Sequence, residues 1–190
     1  MSDYYLEGER IEGLEFGNKE FNTGEYENCI IVNCKLSNAN LRESKFIDCE
    51  FESCDLSMSA LVGTSFQEVS FNNCKMQGLH FEDCNDFLLA MSFKNCVLNF
   101  CTFNQLKLKG TRFLNCKMEE VAFFESDFSK ASFDGSDLIR AEFDNSILEG
   151  ADFRNAFNYI IDPDKNRISK AKFSKEGISG LLNKYDITIE

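Results

Sequence analysis

The sequence predicts an all-β solenoid with four sides. A large apolar residue returns at every fifth position from 11 to 153, with one shift of register between Phe81 and Leu88. A small residue, most often Cys, Ser or Ala, stands two positions before most of these apolar residues. Residues of the same type also recur at intervals of twenty. Together the three patterns predict coils that each have four five-residue sides.

The period of five fits neither a helix nor an isolated strand. A helix needs a period of 3.6 and a strand a period of 2. On a helix, each step of five turns the side chain by about 140°, so the apolar residues would spread round its surface. A short fixed period is typical of a solenoid in which each coil covers its neighbours. We therefore expect these apolar residues, called centres below, to point toward one axis.

The centres sort into four faces when they are taken in fours, with two extra residues near 85–86 looping out. The first face then carries six successive Phe from Phe51 onward, and the second has no Phe after Phe16. Stacking of like residues at a period of twenty indicates a four-sided coil. The four faces are Ile11, Ile31, Phe51, Phe71, Phe93, Phe113, Phe133 and Phe153; Phe16, Leu36, Leu56, Met76, Leu98, Met118 and Leu138; Phe21, Leu41, Leu61, Phe81, Phe103, Phe123 and Phe143; and Tyr26, Phe46, Phe66, Leu88, Leu108, Phe128 and Leu148.

All nine cysteines occupy the small position of the repeat. A free Cys behaves as a compact buried apolar residue. The closest Cys are five apart, and the four intervening residues fall within the range of two to four found in structural zinc sites. Every one of these Cys, however, falls on the small position of the repeat, which packing alone explains. We interpret the cysteines as a packing column and predict no metal site. They are Cys29, Cys34, Cys49, Cys54, Cys74, Cys84, Cys96, Cys101 and Cys116.

Length and charge limit the class of protein. The 190 residues make one domain with a substantial core. A net charge of −12 argues against binding to nucleic acid or anionic membranes and is compatible with a basic partner. The sequence contains no run of 18 apolar residues, so it predicts no membrane span. The first five residues lack the features of a secretory signal and the number of cysteines is odd, which favours the cytoplasm.

The repeat resembles that of the pentapeptide-repeat family, whose motif is written A(D/N)LXX. Near-perfect copies occupy residues 39–43, 131–135, 136–140 and 151–155. The resemblance covers residues 11–173. It implies a right-handed quadrilateral β-helix of about eight coils, with a two-residue insertion near 85–86.

The two ends of the chain depart from the repeat. Residues 1–10 are predicted to be an N-terminal lead-in. In residues 174–190, Ser174 is a suitable N-cap for a short C-terminal helix at 175–184, in which Leu181 and Leu182 share one face with Ile178. Residues 185–189 alternate like a strand.

This C-terminal segment has two predicted roles. The last coil ends in an open apolar surface, which requires a cap. The resemblance to the Qnr and MfpA type of pentapeptide-repeat protein implies instead a homodimer through the C-terminal segment. The candidate interface residues are Ile178, Leu181, Leu182, Tyr185 and Ile187.

The sequence predicts a protein that is not an enzyme. His80 is the single His, and there is no Gly-rich phosphate loop or acid–base pair. We therefore predict no catalytic residue and no cofactor.

Charge is unevenly distributed along the chain. Residues 87–117 contain no acid and form a basic belt of Lys94, Lys107, Lys109, Arg112 and Lys117, whose role the sequence leaves open. The following segment is strongly acidic and is the candidate partner-binding surface. Its acids are Glu119, Glu120, Glu125, Asp127, Asp134, Asp137, Glu142, Asp144, Glu149 and Asp152.

The resemblance to the Qnr and MfpA type implies an acidic DNA mimic. Such a protein binds a type II topoisomerase, DNA gyrase or topoisomerase IV, and protects it from quinolones or related toxins. Eight coils at about 4.8 Å give a rod of about 38 Å, and duplex DNA of that length carries about 22 charges. The net charge is roughly half of this value. The alternative is a protein-interaction rod that is unrelated to DNA.

Overall fold

The computed structural model describes residues 4–15 and 22–188. They form a right-handed, four-sided β-helix of about seven turns with parallel strands, which confirms the predicted fold class. The strands are β1 (Tyr5–Glu7), β2 (Arg10–Glu12), β3 (Glu25–Glu27), β4 (Ile30–Val32), β5 (Lys45–Ile47), β6 (Glu50–Glu52), β7 (Ser65–Gln67), β8 (Val69–Asn72), β9 (Met91–Lys94), β10 (Arg112–Leu114), β11 (Ala122–Phe124) and β12 (Glu142–Asp144). Short 3-10 segments span Phe81–Asp83, Ile178–Leu181 and Asn183–Tyr185.

The strand register reproduces the sorting into four faces. Strands β1, β3, β5 and β7 form a ladder on the fourth face, and β2, β4, β6, β8, β9 and β10 form one on the first face. Strands β11 and β12 pair on the third face. Phe46 lies opposite Phe66, twenty residues later, whereas Phe71 lies opposite Phe93 because of the two inserted residues.

The core is a set of stacked aromatic columns. On the first face the Phe71, Phe93 and Phe113 rings stack with centroids 5.4 and 5.1 Å apart. The ring of Phe103, on the third face, meets Phe113 edge to face at 5.9 Å. These are the preferred geometries of aromatic pairs. The rings are fully buried, so the columns fill the interior and leave only the outward residues for contact with a partner.

The corners of the coil depend on a left-handed backbone. The residue two positions after most centres has a positive φ, as at Asn28 (52°) and Gly63 (72°). Asn and Gly tolerate this conformation best because other residues suffer a clash between Cβ and the following carbonyl. The Asn and Gly residues that recur between centres are therefore corner residues.

The small column is buried as predicted, and all nine Cys are free thiols. The Cys96 thiol donates to the carbonyl of Phe71 at 3.3 Å. In the following coils the Ser126 and Ser136 hydroxyls donate to Phe103 (2.7 Å) and Phe113 (3.1 Å) in the same way. The column therefore provides hydrogen bonds between coils as well as a close fit.

The assignment of Leu88 to the fourth face is wrong. Leu88 is 63% exposed with φ of 56°, and Leu89 packs against the core instead. The Asn85 side chain accepts a hydrogen bond from the Phe87 N–H at 3.0 Å, forming a local turn that carries the chain outward. The insertion therefore displaces the residues that were expected to continue the face.

The coil begins earlier than the sequence suggests. Tyr5–Glu7 already pairs with Glu25–Glu27, within the segment predicted as a lead-in. The reason is that Leu6 occupies a centre position opposite Tyr26 and packs against the core. The predicted centres Phe16 and Phe21 lie outside the described residues.

The C-terminal segment forms two short 3-10 segments where one helix was predicted at 175–184. Gly177 and Gly180 lie against Tyr159 so closely that an added methyl group would overlap its hydroxyl and its carbonyl oxygen, respectively. Glycine also disfavours an extended α-helix. Residues 186–188 form no strand, and Ile189 lies outside the described residues.

Candidate partner-binding surfaces

The ten candidate acids surround the rod and form no single stripe. Glu142 and Asp144 lie at the two ends of β12 on the third face. Asp152 lies one coil after Ser132 and bridges to it on the first face, and Asp127 lies one coil after Lys107 and bridges to it on the fourth. Asp137 bridges to Lys117 on the second face, so outward carboxylates reach every side of the C-terminal coils.

Half of these acids are engaged in ion pairs within the chain. Arg140 joins Glu119 and Glu120, the latter at 2.8 Å. Exposed pairs contribute little to stability, typically about 0–1 kcal/mol, but each one cancels charge on the surface. The other pairs are Asp127 with Lys109 (3.2 Å), Glu149 with Arg167 (2.6 Å) and Asp152 with Arg154 (2.7 Å).

The other five acids form no ion pair with the described residues. Asp134 and Asp137 accept hydrogen bonds from the side-chain amides of Asn155 (2.7 Å) and Asn158 (2.8 Å). Glu125 accepts one from Gln105 at 2.9 Å. Within residues 4–15 and 22–188, the Glu142 and Asp144 carboxylates have neither an ion pair nor a side-chain hydrogen bond.

The third face beside these two acids is open. A groove of about 520 Å³ is lined by Glu142 and Asp144, with Ile160 and Lys165 from the last coil. Both carboxylates are therefore available to a partner. The pattern of acids was predictable from the sequence, but which of them stay unpaired depends on the side-chain geometry of neighbouring coils.

The candidate dimer residues divide into two groups. Leu181 is only 8% exposed and belongs to the core, and Leu182 is half-buried. Ile178, Tyr185 and Ile187 are exposed. The structure thus places Leu181 as part of a cap and leaves the other three available at the surface.

Two exposed apolar residues near this end were missed by the sequence reasoning. Phe157 and Ile160 are 48% and 52% exposed, and with Ile139 they line a groove of about 610 Å³ against the C-terminal segment. A signal was present, because Phe157 and Ile160 are large apolar residues that stand outside the period of the centres.

The C-terminal segment is fixed to the last coil. The Ile161 N–H donates to the carbonyl of Gly180 at 3.0 Å. Lys184 donates to Asp162 at 2.6 Å and also pairs with Asp164, which lowers the pKa of the Asp162 carboxyl. The ring of Tyr159 packs against Phe153 and Phe173, with both centroid distances at 5.7 Å. The open end of the coil is therefore covered from within the chain.

The single histidine, His80, lies at the surface among ordinary polar contacts. Its Nδ1 lies 2.9 Å from the Thr102 hydroxyl, which donates to Glu82 at 2.7 Å, and the imidazole is largely exposed.

Burial raises the pKa of the Cys101 thiol to about 12, so this thiol is protonated and unreactive at neutral pH. No group of metal-ligating side chains and no helix able to cross a membrane occurs in the described part of the chain.

Known proteins share this fold at low sequence identity. Full-length QnrB1, a plasmid-mediated fluoroquinolone resistance protein, is 19% identical, and the match covers 97% of this chain and 100% of QnrB1 with a TM-score of 0.51. HetL from Nostoc sp. strain PCC 7120, involved in the regulation of heterocyst differentiation, is 15% identical, and the match covers 91% and 88% of the two chains with a TM-score of 0.50. The chain has no match among curated protein sequences. The pentapeptide repeat region profile matches residues 19–87 and 80–153, and the chain belongs to the pentapeptide-repeat family.

Proposed function

We propose that this chain is a non-catalytic acidic protein that binds a type II topoisomerase, DNA gyrase or topoisomerase IV, and shields it from quinolones or related toxins. The observation that carries the proposal is the set of outward carboxylates around the C-terminal coils, with Glu142 and Asp144 unpaired. The fold shared with QnrB1 supports the choice of partner.

The rod would act by occupying the site that normally holds DNA. A surface that binds DNA presents Lys and Arg to regularly spaced phosphates. Outward carboxylates distributed around the C-terminal coils offer such a surface acceptors in place of phosphates. Because half of the ten acids are ion-paired with Arg or Lys, the unpaired Glu142 and Asp144 on the third face are the acids most available to the partner.

Two copies joined at their C-terminal ends would match the two-fold symmetry of a type II topoisomerase. The exposed apolar residues Phe157, Ile160 and Ile178 lie at this end and supply the apolar part of an interface. Tyr185 and Ile187 extend it. Leu181 takes no part in this interface, since it is committed to the cap.

A gyrase assay tests the proposal. Supercoiling by purified bacterial gyrase is measured with ciprofloxacin, with and without micromolar protein. We expect the protein to inhibit supercoiling or to reduce the effect of the drug. Neither inhibition nor protection at these concentrations contradicts the proposal.

Two charge-reversal variants locate the contact. Lysine at both Glu142 and Asp144 removes the unpaired charges and should abolish the effect on gyrase. Lysine at Glu149 and Asp152 changes the net charge equally, but it alters acids that are already ion-paired, so most of the effect should remain. Equal losses in both variants would show that only overall charge matters.

Sedimentation tests the dimer separately. Aspartate at Phe157 and Ile160 should convert a dimer to a monomer, because it places charge in the apolar interface. A matched change at the exposed Val62, far from this end, should leave the dimer intact. A dimer that persists in the Phe157 and Ile160 variant assigns the interface elsewhere.

A protein-interaction rod unrelated to DNA is the second candidate. The basic belt favours it, because a mimic of DNA has no use for a cluster of cations. If the protein neither inhibits gyrase nor protects it, the protein-interaction rod is the remaining candidate function.

A further inference from the structure

The fourth-face ladder is interrupted at the insertion. Strand β7 is the last member of its sheet. Pairing on this face resumes only at Lys107, which bridges to Asp127 on its other side. In the described chain, the Lys107 N–H has no backbone acceptor, although the equivalent Asp127 N–H one coil later donates to Leu106 at 2.8 Å. The gap therefore leaves the Lys107 N–H without the bond that its equivalents make, although the Asn85 and Ala90 N–H groups still donate to the Thr64 and Phe66 carbonyls of the preceding coil.

The gap opens into a groove of about 720 Å³. Its walls are partly apolar, formed by Leu89 and Met91. The neighbouring Phe87 and Leu88 are 67% and 63% exposed, so they project from the corner beside it. Two adjacent apolar side chains this exposed are costly to leave in water unless they serve a contact.

The rim of the groove is basic. It is lined by Lys107, Lys109 and Arg112. Lys94 lies nearby on β9, which pairs with the strand β10 that begins at Arg112. Only Lys109 forms an ion pair among the described residues, with Asp127. Glu68 lies on the opposite wall but pairs with none of these cations. Unpaired cations on a chain of net charge −12 are placed to meet an external negative group.

We propose that this groove, with the Phe87 and Leu88 corner, binds an acidic, extended polypeptide segment that carries a large apolar side chain. The segment's carboxylates meet Lys107 and Arg112, and its apolar side chain packs on Phe87 and Leu88. Its backbone accepts from the free Lys107 N–H, in the manner of strand addition at an open sheet edge. This site is separate from the acidic third face and does not depend on topoisomerase binding.

A nucleic acid fits the same groove less well. Binding of DNA draws its affinity from many phosphate contacts, and the rim offers only a few cations between two acidic ends of the rod. Phosphates also gain nothing from the exposed Phe87 and Leu88. An acidic peptide uses the cations, the apolar corner and the backbone edge together.

Fluorescence polarisation with defined probes tests the proposal. The probe is a labelled dodecapeptide of three Glu-Glu-Phe-Gly repeats, compared with a Lys-Lys-Phe-Gly peptide, a Glu-Glu-Ser-Gly peptide and a twelve-base-pair duplex DNA. We expect micromolar binding of the first peptide only. Charge reversal of Lys107 and Arg112 to Glu, or substitution of Phe87 and Leu88 by Ser, should each weaken it by about tenfold or more.

A matched control uses Lys130→Glu with Lys165→Glu, two exposed cations outside the groove. Unchanged affinity in this control, together with loss in the groove variants, supports the proposal. Absence of binding by the Glu-Glu-Phe-Gly peptide, equal loss in the control, or tighter binding of the duplex would each overturn it.

Discussion

At the scale of single residues, the repeat imposes a backbone requirement that some positions meet poorly. Phe100 stands at a corner with φ of 63° and is 49% exposed. A residue with a bulky side chain costs about 1–2 kcal/mol in this conformation, and Asn tolerates it better. Bulky corner residues such as Phe100 therefore destabilise the fold.

Replacing Phe100 by Asn should raise the free energy of unfolding by about 0.5–1 kcal/mol, because it relieves strain and removes little buried surface. Urea denaturation measures the change. Val62→Asn is the control, since Val62 is also exposed but has no positive φ, and it should bring no gain. A lower stability for the Phe100 variant would mean that its ring makes contacts worth more than the strain.

Two of the buried thiols, Cys49 and Cys101, give the protein a pH dependence on the alkaline side. Burial raises the pKa of the Cys49 thiol to about 11 and that of Cys101 to about 12. In the unfolded chain the thiols titrate near about 8.5. Stability is therefore fully present below that pH and falls as pH rises toward the folded-state values, because the unfolded chain loses its protons first.

We expect the free energy of unfolding to fall between pH 7.5 and 9.5 by up to about 1.4 kcal/mol per pH unit for each such thiol, once above pH 8.5. Urea denaturation at three pH values measures it. Cys101→Ala should lose some stability at pH 7.5 but show a shallower decline. A flat profile for the parent chain would contradict the assigned burial.

At the scale of elements, the period of five was enough to predict the four faces and their register. It predicted which residues point inward because every coil repeats the same geometry. Counting could not decide how two extra residues are accommodated, and so Leu88 was assigned inward while the Asn85 turn carries it outward. It also missed Leu6, which continues the period one step before the first recognised centre.

The C-terminal segment was less predictable for a different reason. Its amphipathic pattern indicated a helix, but its conformation is set by close contact with Tyr159. Gly177 and Gly180 allow that contact, and nothing in their own neighbourhood of the sequence signals it. The acids of the candidate surface were predictable in the same partial way, since the pairing of Arg140 with Glu119 and Glu120 depends on geometry between coils.

Gly180→Ala should destabilise the C-terminal cap. The added methyl group overlaps the carbonyl oxygen of Tyr159, a backbone atom that cannot move aside without shifting the last coil. Overpacking of this kind costs about 1–3 kcal/mol. Thermal unfolding measures the loss, and limited proteolysis should cut first near this end. Ser179→Ala, at an exposed neighbour, should change little, and similar losses in both variants would point to a general weakness of the segment.

At the scale of the whole molecule, the insertion divides one continuous coil into two parts. Strand β7 ends the fourth-face ladder of the first part, and ladder pairing on that face resumes at Lys107 in the second. Meanwhile the first-face sheet runs through unbroken from β8 to β9. The molecule thus remains one rod while one of its sides is opened, which is how a solenoid acquires a local groove without losing its core.

Deleting Asn85 and Asp86 should close that groove. The deletion restores the spacing of five. Leu88 then stands two positions after Cys84, as every centre stands two positions after its small residue. Ala90 then occupies a corner, and Ala90→Gly is included in the same variant because the corner requires a positive φ. The Lys107 N–H gains an acceptor in the carbonyl of Cys84, by analogy with the Asp127 bond to Leu106.

We expect this deletion variant to unfold at a temperature at least as high as that of the parent chain, because it buries Leu88 and completes a ladder. Hydrogen exchange at Lys107 should slow by about tenfold or more, since the amide becomes bonded. Binding of the Glu-Glu-Phe-Gly peptide should be lost, while any effect on gyrase should persist because Glu142 and Asp144 are untouched. A variant that folds but leaves the Lys107 amide unprotected would show that the two extra residues are not what opens the fourth face. Ala90→Gly alone serves as the control and should leave both the groove and peptide binding in place.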